Sequence, residues 1–127
     1  MVELLVTVLR IVLAVMFVGM GLLHFVPSVA RGMAAMIPPA LVRPGLPSRR
    51  ALVVFTGLCE IAGGLGLLIP PTRLAAAIAL IVFLIAVFPA NAHAAANPQK
   101  FGRAAIPFWP RLTAQLVLIA LIVLAAR

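Results

Sequence analysis

The chain has 127 residues, 65% of them hydrophobic and 9% charged, with ten Lys and Arg against two acids and a formal net charge of +8. An average soluble domain carries roughly 25% charged residues, so a water-soluble fold of this size could not cover its surface, and lipid is the expected solvent. Nucleic acid is excluded as a partner on the same pattern: the basic residues flank apolar runs, which suits anionic headgroups and topology control.

Four runs approach the roughly 20 residues needed to cross a bilayer. The first, residues 4–26, is interrupted only by Thr7, Arg10 and His24. It follows Met1-Val2-Glu3, acidic where a signal peptide is basic, and is expected to stay as an anchor. Residues 27–48 contain Pro27, Pro38, Pro39, Pro44 and Pro47 and cannot form one helix. Within them, 28–37 is expected to be a short interfacial or re-entrant helix, with Arg31 facing water and Met33, Met36 and Ile37 facing lipid or protein.

The second run, residues 51–69, holds Gly57, Gly63, Gly64 and Gly66. Small residues at this density let helices approach closely, within the bundle or, less favoured, at a homo-oligomer seam. Pro70-Pro71-Thr72-Arg73 reads as a tight turn that makes the second and third runs antiparallel neighbours. The third run, 74–96, contains Pro89, which is expected to kink it. Residues 97–110 connect it to the last run, 112–126; they carry Lys100 and Arg103, and Trp109 stands where an interface aromatic is expected.

Lipid offers no partner to bare backbone groups, so these runs should be helices, and they are too continuously apolar for a barrel. The fold class is all-α: an integral membrane antiparallel four-helix bundle, a single transmembrane domain over 1–127. Arg31, Arg43, Arg49, Arg50, Lys100, Arg103 and Arg111 fall on one side, with Glu3, Arg10, Arg73 and Arg127 on the other. The positive-inside rule then puts both long connections in the cytoplasm and both termini on the outer side.

Ionisable groups inside a membrane helix are costly and mark functional sites by default. Arg10 and Glu60 are the two clear cases. With a rise of about 1.5 Å per residue, Arg10 lies about 10 Å and Glu60 about 13 Å from the same face. Opposite charges at one depth are expected to form a buried pair, either a structural lock between two helices or part of a ligand or proton site. Gly57, Glu60 and Gly64 share one stripe, and Arg10, Ala14, Phe17, Gly21 and His24 share another. Gln115, one turn deeper than Arg111, is expected within reach of Glu60. Asn91, His93, His24 and Arg111 fall toward the cytoplasmic side and extend the polar interior; the two histidines and Arg111 also read as interface residues.

Two His on different helices with a deeper Glu60 do not make a metal-ligand set, so no metal is expected. No phosphate loop, nucleophile elbow or HExxH motif occurs. The lone Cys59 allows no intramolecular disulfide and no CxxC pair, and reads as a packing residue.

An ordered set of motifs resembles a known family. It runs from Arg10 through Gly19-Met20-Gly21-Leu22-Leu23-His24-Phe25, then Thr56-Gly57-Leu58-Cys59-Glu60-Ile61-Ala62-Gly63-Gly64, then Phe88-Pro89-Ala90-Asn91 and Trp109-Pro110-Arg111-Leu112-Thr113-Ala114-Gln115. This is similar to the DoxX-like family of small bacterial four-helix membrane proteins, over nearly the whole chain, although Thr113 stands where that family commonly has proline. The resemblance implies a bacterial cytoplasmic (inner) membrane location and an association with quinone-linked redox systems. It makes Arg10, Glu60, Asn91, Arg111 and Gln115 the matching polar positions.

Three functions are consistent with these features. The first is a subunit that binds a lipophilic molecule such as a quinone and supports a membrane oxidoreductase or redox partner, without being catalytic alone. The second is a structural or assembly subunit of a larger membrane complex. The third is a small proton-coupled transporter, for which the chain is short unless it oligomerises.

Overall fold

Proline placement sets the helix ends. In the computed structural model, which describes residues 1–97, 99 and 106–127, the first helix, α1, spans Val2–Leu23 and stops short of the expected residue 26. Val26 precedes Pro27 and is therefore extended, with φ −81° and ψ 119°. Pro27 then starts α2, Pro27–Met36, because a proline at the first helical position forfeits only a donor that has no partner there. The expected short helix at 28–37 is thus present, one residue earlier.

The next helix, α3, spans Arg49–Leu68 and begins two residues before the expected 51. Ser48 causes this: its hydroxyl accepts a hydrogen bond from the Ala51 N–H at 3.1 Å and caps the helix start. Ile69 before Pro70 is again extended and ends it. A 3₁₀ turn, Pro70–Thr72, leads into α4, Arg73–Ala96. The turn is held by side chains that satisfy the last carbonyls of α3: the Thr72 hydroxyl donates to Gly66 O at 2.9 Å and Arg73 Nε donates to Leu67 O at 2.9 Å. Helix α4 continues on both sides of Pro89.

The last helix, α5, spans Phe108–Ala125 and starts four residues before the expected 112. Pro110 falls in its first turn, where proline removes no intrahelical bond. Trp109 is largely exposed there, beside Phe108. Lys100 and Arg103 lie outside the described residues.

The chain is all-helical among the described residues, and four helices, Val2–Leu23, Arg49–Leu68, Pro70–Ala96 and Phe108–Ala125, are long and apolar enough to cross a membrane. Contacts run from α1 to α3, from α3 to α4, from α4 to α5 and from α5 back to α1, while α2 rests on α3 and α4. Leu13, Phe17, Leu67, Leu80 and Ile122 are buried where these helices meet. Val15, Leu65, Ile78, Val82 and Leu116 point outward, an apolar surface that suits contact with lipid.

Lipid tails are as apolar as leucine, so close van der Waals packing must hold such helices together. The α1–α3 contact shows how. A Cβ on Gly57 would lie 2.7 Å from His24 Cβ and 3.0 Å from Gly21 O; one on Gly21 would lie 2.7 Å from Gly57 O. The two backbones meet where neither has a side chain. Gly57→Ala is expected to force them apart at a cost of about 1–3 kcal/mol, the usual range for overpacking, read from a denaturant titration in detergent. Gly19→Ala, where a Cβ has open space, should leave the midpoint almost unchanged.

Candidate functional site

The register of α1 on α3 determines which polar groups meet. Gly21 faces Gly57 and Ile61, while Ala14, Phe17 and Val18 face Gly64. Of the expected stripe Arg10, Ala14, Phe17, Gly21 and His24, the last four are buried and Arg10 is half-buried. Continued down the helices, this register sets Arg10 level with Leu68, eight residues and about 12 Å from Glu60.

The expected Arg10–Glu60 pair therefore does not form. Arg10 Nε donates to Ala125 O at 2.9 Å, and a terminal guanidinium nitrogen donates to Arg127 O. Side-chain direction adds to the register. Helical side chains lean toward their own N-terminus, so Arg10 leans toward Met1 and Glu60 toward Arg49, in opposite directions. For His24 and Glu60 the same rule brings the two together. His24 leans back along α1 and Glu60 leans back along α3, across the gap left by Gly57. His24 Nδ1 lies 3.3 Å from Glu60 Oε2.

Both residues are buried, at 8% and 6% exposure. His24 Nδ1 also lies 2.8 Å from Met20 O. A carbonyl only accepts, so Nδ1 carries a hydrogen and donates it there. Glu60 Oε2 consequently has an imidazole beside it but no hydrogen-bond donor among the described residues. A buried carboxyl in this state is a ready acceptor for a proton or a donor group.

His24 has a second neighbour, a cavity of about 390 Å³. Phe25, Ala34 and Val53 form apolar walls, and Arg31 from α2 and Arg50 from α3 also line it. The arginines are exposed and His24 is buried, so the cations stand at the rim and the imidazole at the floor. A molecule in this space would meet guanidinium donors first, then an imidazole backed by a carboxyl.

The remaining expected residues do not join this group. Arg111 and Gln115 are half-buried on α5, and neither is bonded to Glu60, so the expected Gln115–Glu60 contact is absent. Asn91 and His93 are half-buried on the last turns of α4; the backbone carbonyl of His93 accepts a hydrogen bond from the Asn97 amide at 2.8 Å. Sequence reasoning did not select Arg31 and Arg50 as site residues. Arg31 was legible as the basic residue of the short amphipathic helix, and Arg50 as a basic residue just ahead of the second run; nothing in the sequence brings the two together.

The family model of a domain of unknown function, DUF8561, matches residues 13–126, and the chain belongs to that family. No curated protein and no solved structure matches it. The matched region contains the whole His24–Glu60 contact and every residue that lines the cavity beside it.

Proposed function

We propose that this DUF8561 member is an antiparallel four-helix membrane bundle that binds a lipophilic molecule of the quinone class beside His24 and supports a membrane redox system as a binding subunit. The observation that carries the reading is a buried imidazole with a cavity on one side and a buried carboxyl 3.3 Å away on the other. Quinones present carbonyl oxygens that need donors, and their reduction needs protons. The arginines supply the first. His24, whose Nδ1 hydrogen goes to Met20 O, donates from Nε2 only as the imidazolium. That form also carries the proton the second requires, with Glu60 beside it as counter-charge. The volume falls in the range of about 300–1,000 Å³ usual for small-molecule sites. The lone Cys59 leaves no dithiol pair in the chain, so electrons come from a partner protein.

The opposed running of α1 and α3, with Gly21 against Gly57 and Ala14 against Gly64, supports the antiparallel arrangement. The likeness to the DoxX-like family supports a bacterial cytoplasmic membrane and a redox setting. Basic residues cluster at the α2 end, with Arg31, Arg43, Arg49 and Arg50, which supports a cytoplasmic position for that end and outer termini. There α2 lies along the membrane surface.

The test is binding of a short-chain quinone to the full chain in mild detergent, followed by calorimetry, with mass spectrometry of the gently purified protein for a resident quinone. His24→Leu and the cavity-filling Ala34→Phe are each expected to weaken binding at least tenfold, while Arg73→Gln at the far end leaves it unchanged. Equal affinity in all four proteins would remove the cavity from consideration. Stoichiometric recovery with one larger protein, indifferent to both cavity variants, would favour an assembly subunit instead.

A further inference from the structure

The charge count leaves the arginines at the rim of the cavity without an acidic partner among the described residues. The chain has two acids for ten Lys and Arg. Glu60 faces His24, and Glu3 lies in the first turn of α1, at the opposite end from α2. Neither reaches Arg31 or Arg50. Next to them, Arg49 has a terminal nitrogen 3.4 Å from Ile37 O and a buried Nε with no hydrogen-bond partner among the described residues. Guanidinium groups drawn together from two helices repel each other unless an anion sits between them, and their planar donor forks suit carboxylate or phosphate oxygens.

A second hollow adjoins the first. A shallow apolar groove along α3 is lined by Ser48, Arg50, Ala51, Val54, Phe55 and Leu58, and shares Arg50 and Val54 with the cavity. From Arg50 to Leu58 it runs eight residues, about 12 Å along the helix axis. That is close to half of the roughly 30 Å hydrocarbon thickness of a bilayer. Cationic groups at one end and an apolar track one leaflet deep at the other have the layout of an amphiphile with a negative head.

We propose that Arg31 and Arg50 form the headgroup site of an anionic amphiphile whose acyl chain lies along Val54, Phe55 and Leu58. The bound head tethers α2 to the start of α3 and so fixes the rim of the cavity above His24. This site uses the rim and the outer face of α3, and it stands whether or not a quinone occupies the floor.

The test is native mass spectrometry of the full chain with short-chain phosphatidylglycerol, short-chain phosphatidylcholine or inorganic phosphate as probes. Phosphatidylglycerol is expected to be retained at least tenfold better than phosphatidylcholine. Arg31→Gln/Arg50→Gln should abolish that preference, and Leu58→Ser should weaken retention of the same lipid severalfold. Arg73→Gln, a cation at the other end, and His24→Leu should both keep the preference; loss of quinone binding in His24→Leu with lipid retained separates the two readings. Undiminished phosphatidylglycerol retention in the double arginine variant would overturn the site. Displacement of the lipid by an equal concentration of inorganic phosphate would overturn the amphiphile and leave a simple anion site.

Discussion

Arg10→Met is expected to loosen the end of α5 while leaving the His24–Glu60 contact in place. The last carbonyls of a helix have no intrahelical donors, and lipid supplies none. In α5 the guanidinium of Arg10 supplies one to Ala125 O at 2.9 Å, and it also holds Arg127 O two residues beyond the helix end. It also places a cation at the negative end of the helix dipole. Hydrogen bonds from charged donors are each worth about 1.5–3 kcal/mol, and Arg10 is only half-buried, so a combined loss of about 3 kcal/mol is expected. The measurement is hydrogen exchange across α5 together with a denaturant titration in detergent. Amides near Ile122 should exchange faster, and those around Gly57 should not. Arg10→Lys keeps the charge but not the fork, and should recover about half of the loss. Additivity of Arg10→Met and Glu60→Gln within about 0.5 kcal/mol is expected, since the two do not touch. A coupling well above that would restore the pairing of Arg10 with Glu60 that equal depth suggested.

That contrast shows where sequence reasoning reached and where it stopped. Four spans, the short helix after Pro27 and the buried face Ala14, Phe17, Gly21 and His24 are all legible, because apolar run length and a period of 3.6 are local properties. Helix ends shifted by two to four residues for local reasons that were also present in the sequence: Ser48 as a cap, Pro110 tolerated in a first turn, Val26 held extended by Pro27. The polar pairing was not legible. Depth counted from each run's end treats the ends as level, yet the glycine contact between Gly21 and Gly57 sets the register and carries Arg10 about 12 Å past Glu60. The lean of each side chain toward its own N-terminus then settles the partner, favouring His24 and disfavouring Arg10. An interface reading of His24 follows from its position near a span's end; its burial follows only from the missing Cβ of Gly57, across which it reaches. Arg31 and Arg50 share a cavity because α2 folds back onto α3, a tertiary fact with no trace in either segment.

A second large single-site effect is expected from His24→Leu. It removes the polar neighbour of a carboxyl that is 94% buried by the 6% exposure of Glu60 and already lacks a donor at Oε2. Stranding one member of a buried pair costs about 3–5 kcal/mol when both are charged, and about 1–3 kcal/mol for an unpaired neutral polar group. A loss of about 3 kcal/mol lies where the two ranges meet. Glu60→Gln should cost less, because the amide keeps the shape and sheds the possible charge. Glu60→Leu alone should also cost less than His24→Leu, since the imidazole retains its bond to Met20 O at 2.8 Å. The informative protein is the double variant His24→Leu/Glu60→Leu. If the two side chains answer each other, the double variant should be more stable than His24→Leu alone, with a coupling of about 1–3 kcal/mol in the cycle. Leucine in both places fills the contact with groups that ask for no partner, as replacement of buried ion pairs by apolar residues often does. Losses that simply add would mean that the carboxyl draws its solvation from elsewhere, and the route from cavity to Glu60 through the imidazole would have to be abandoned.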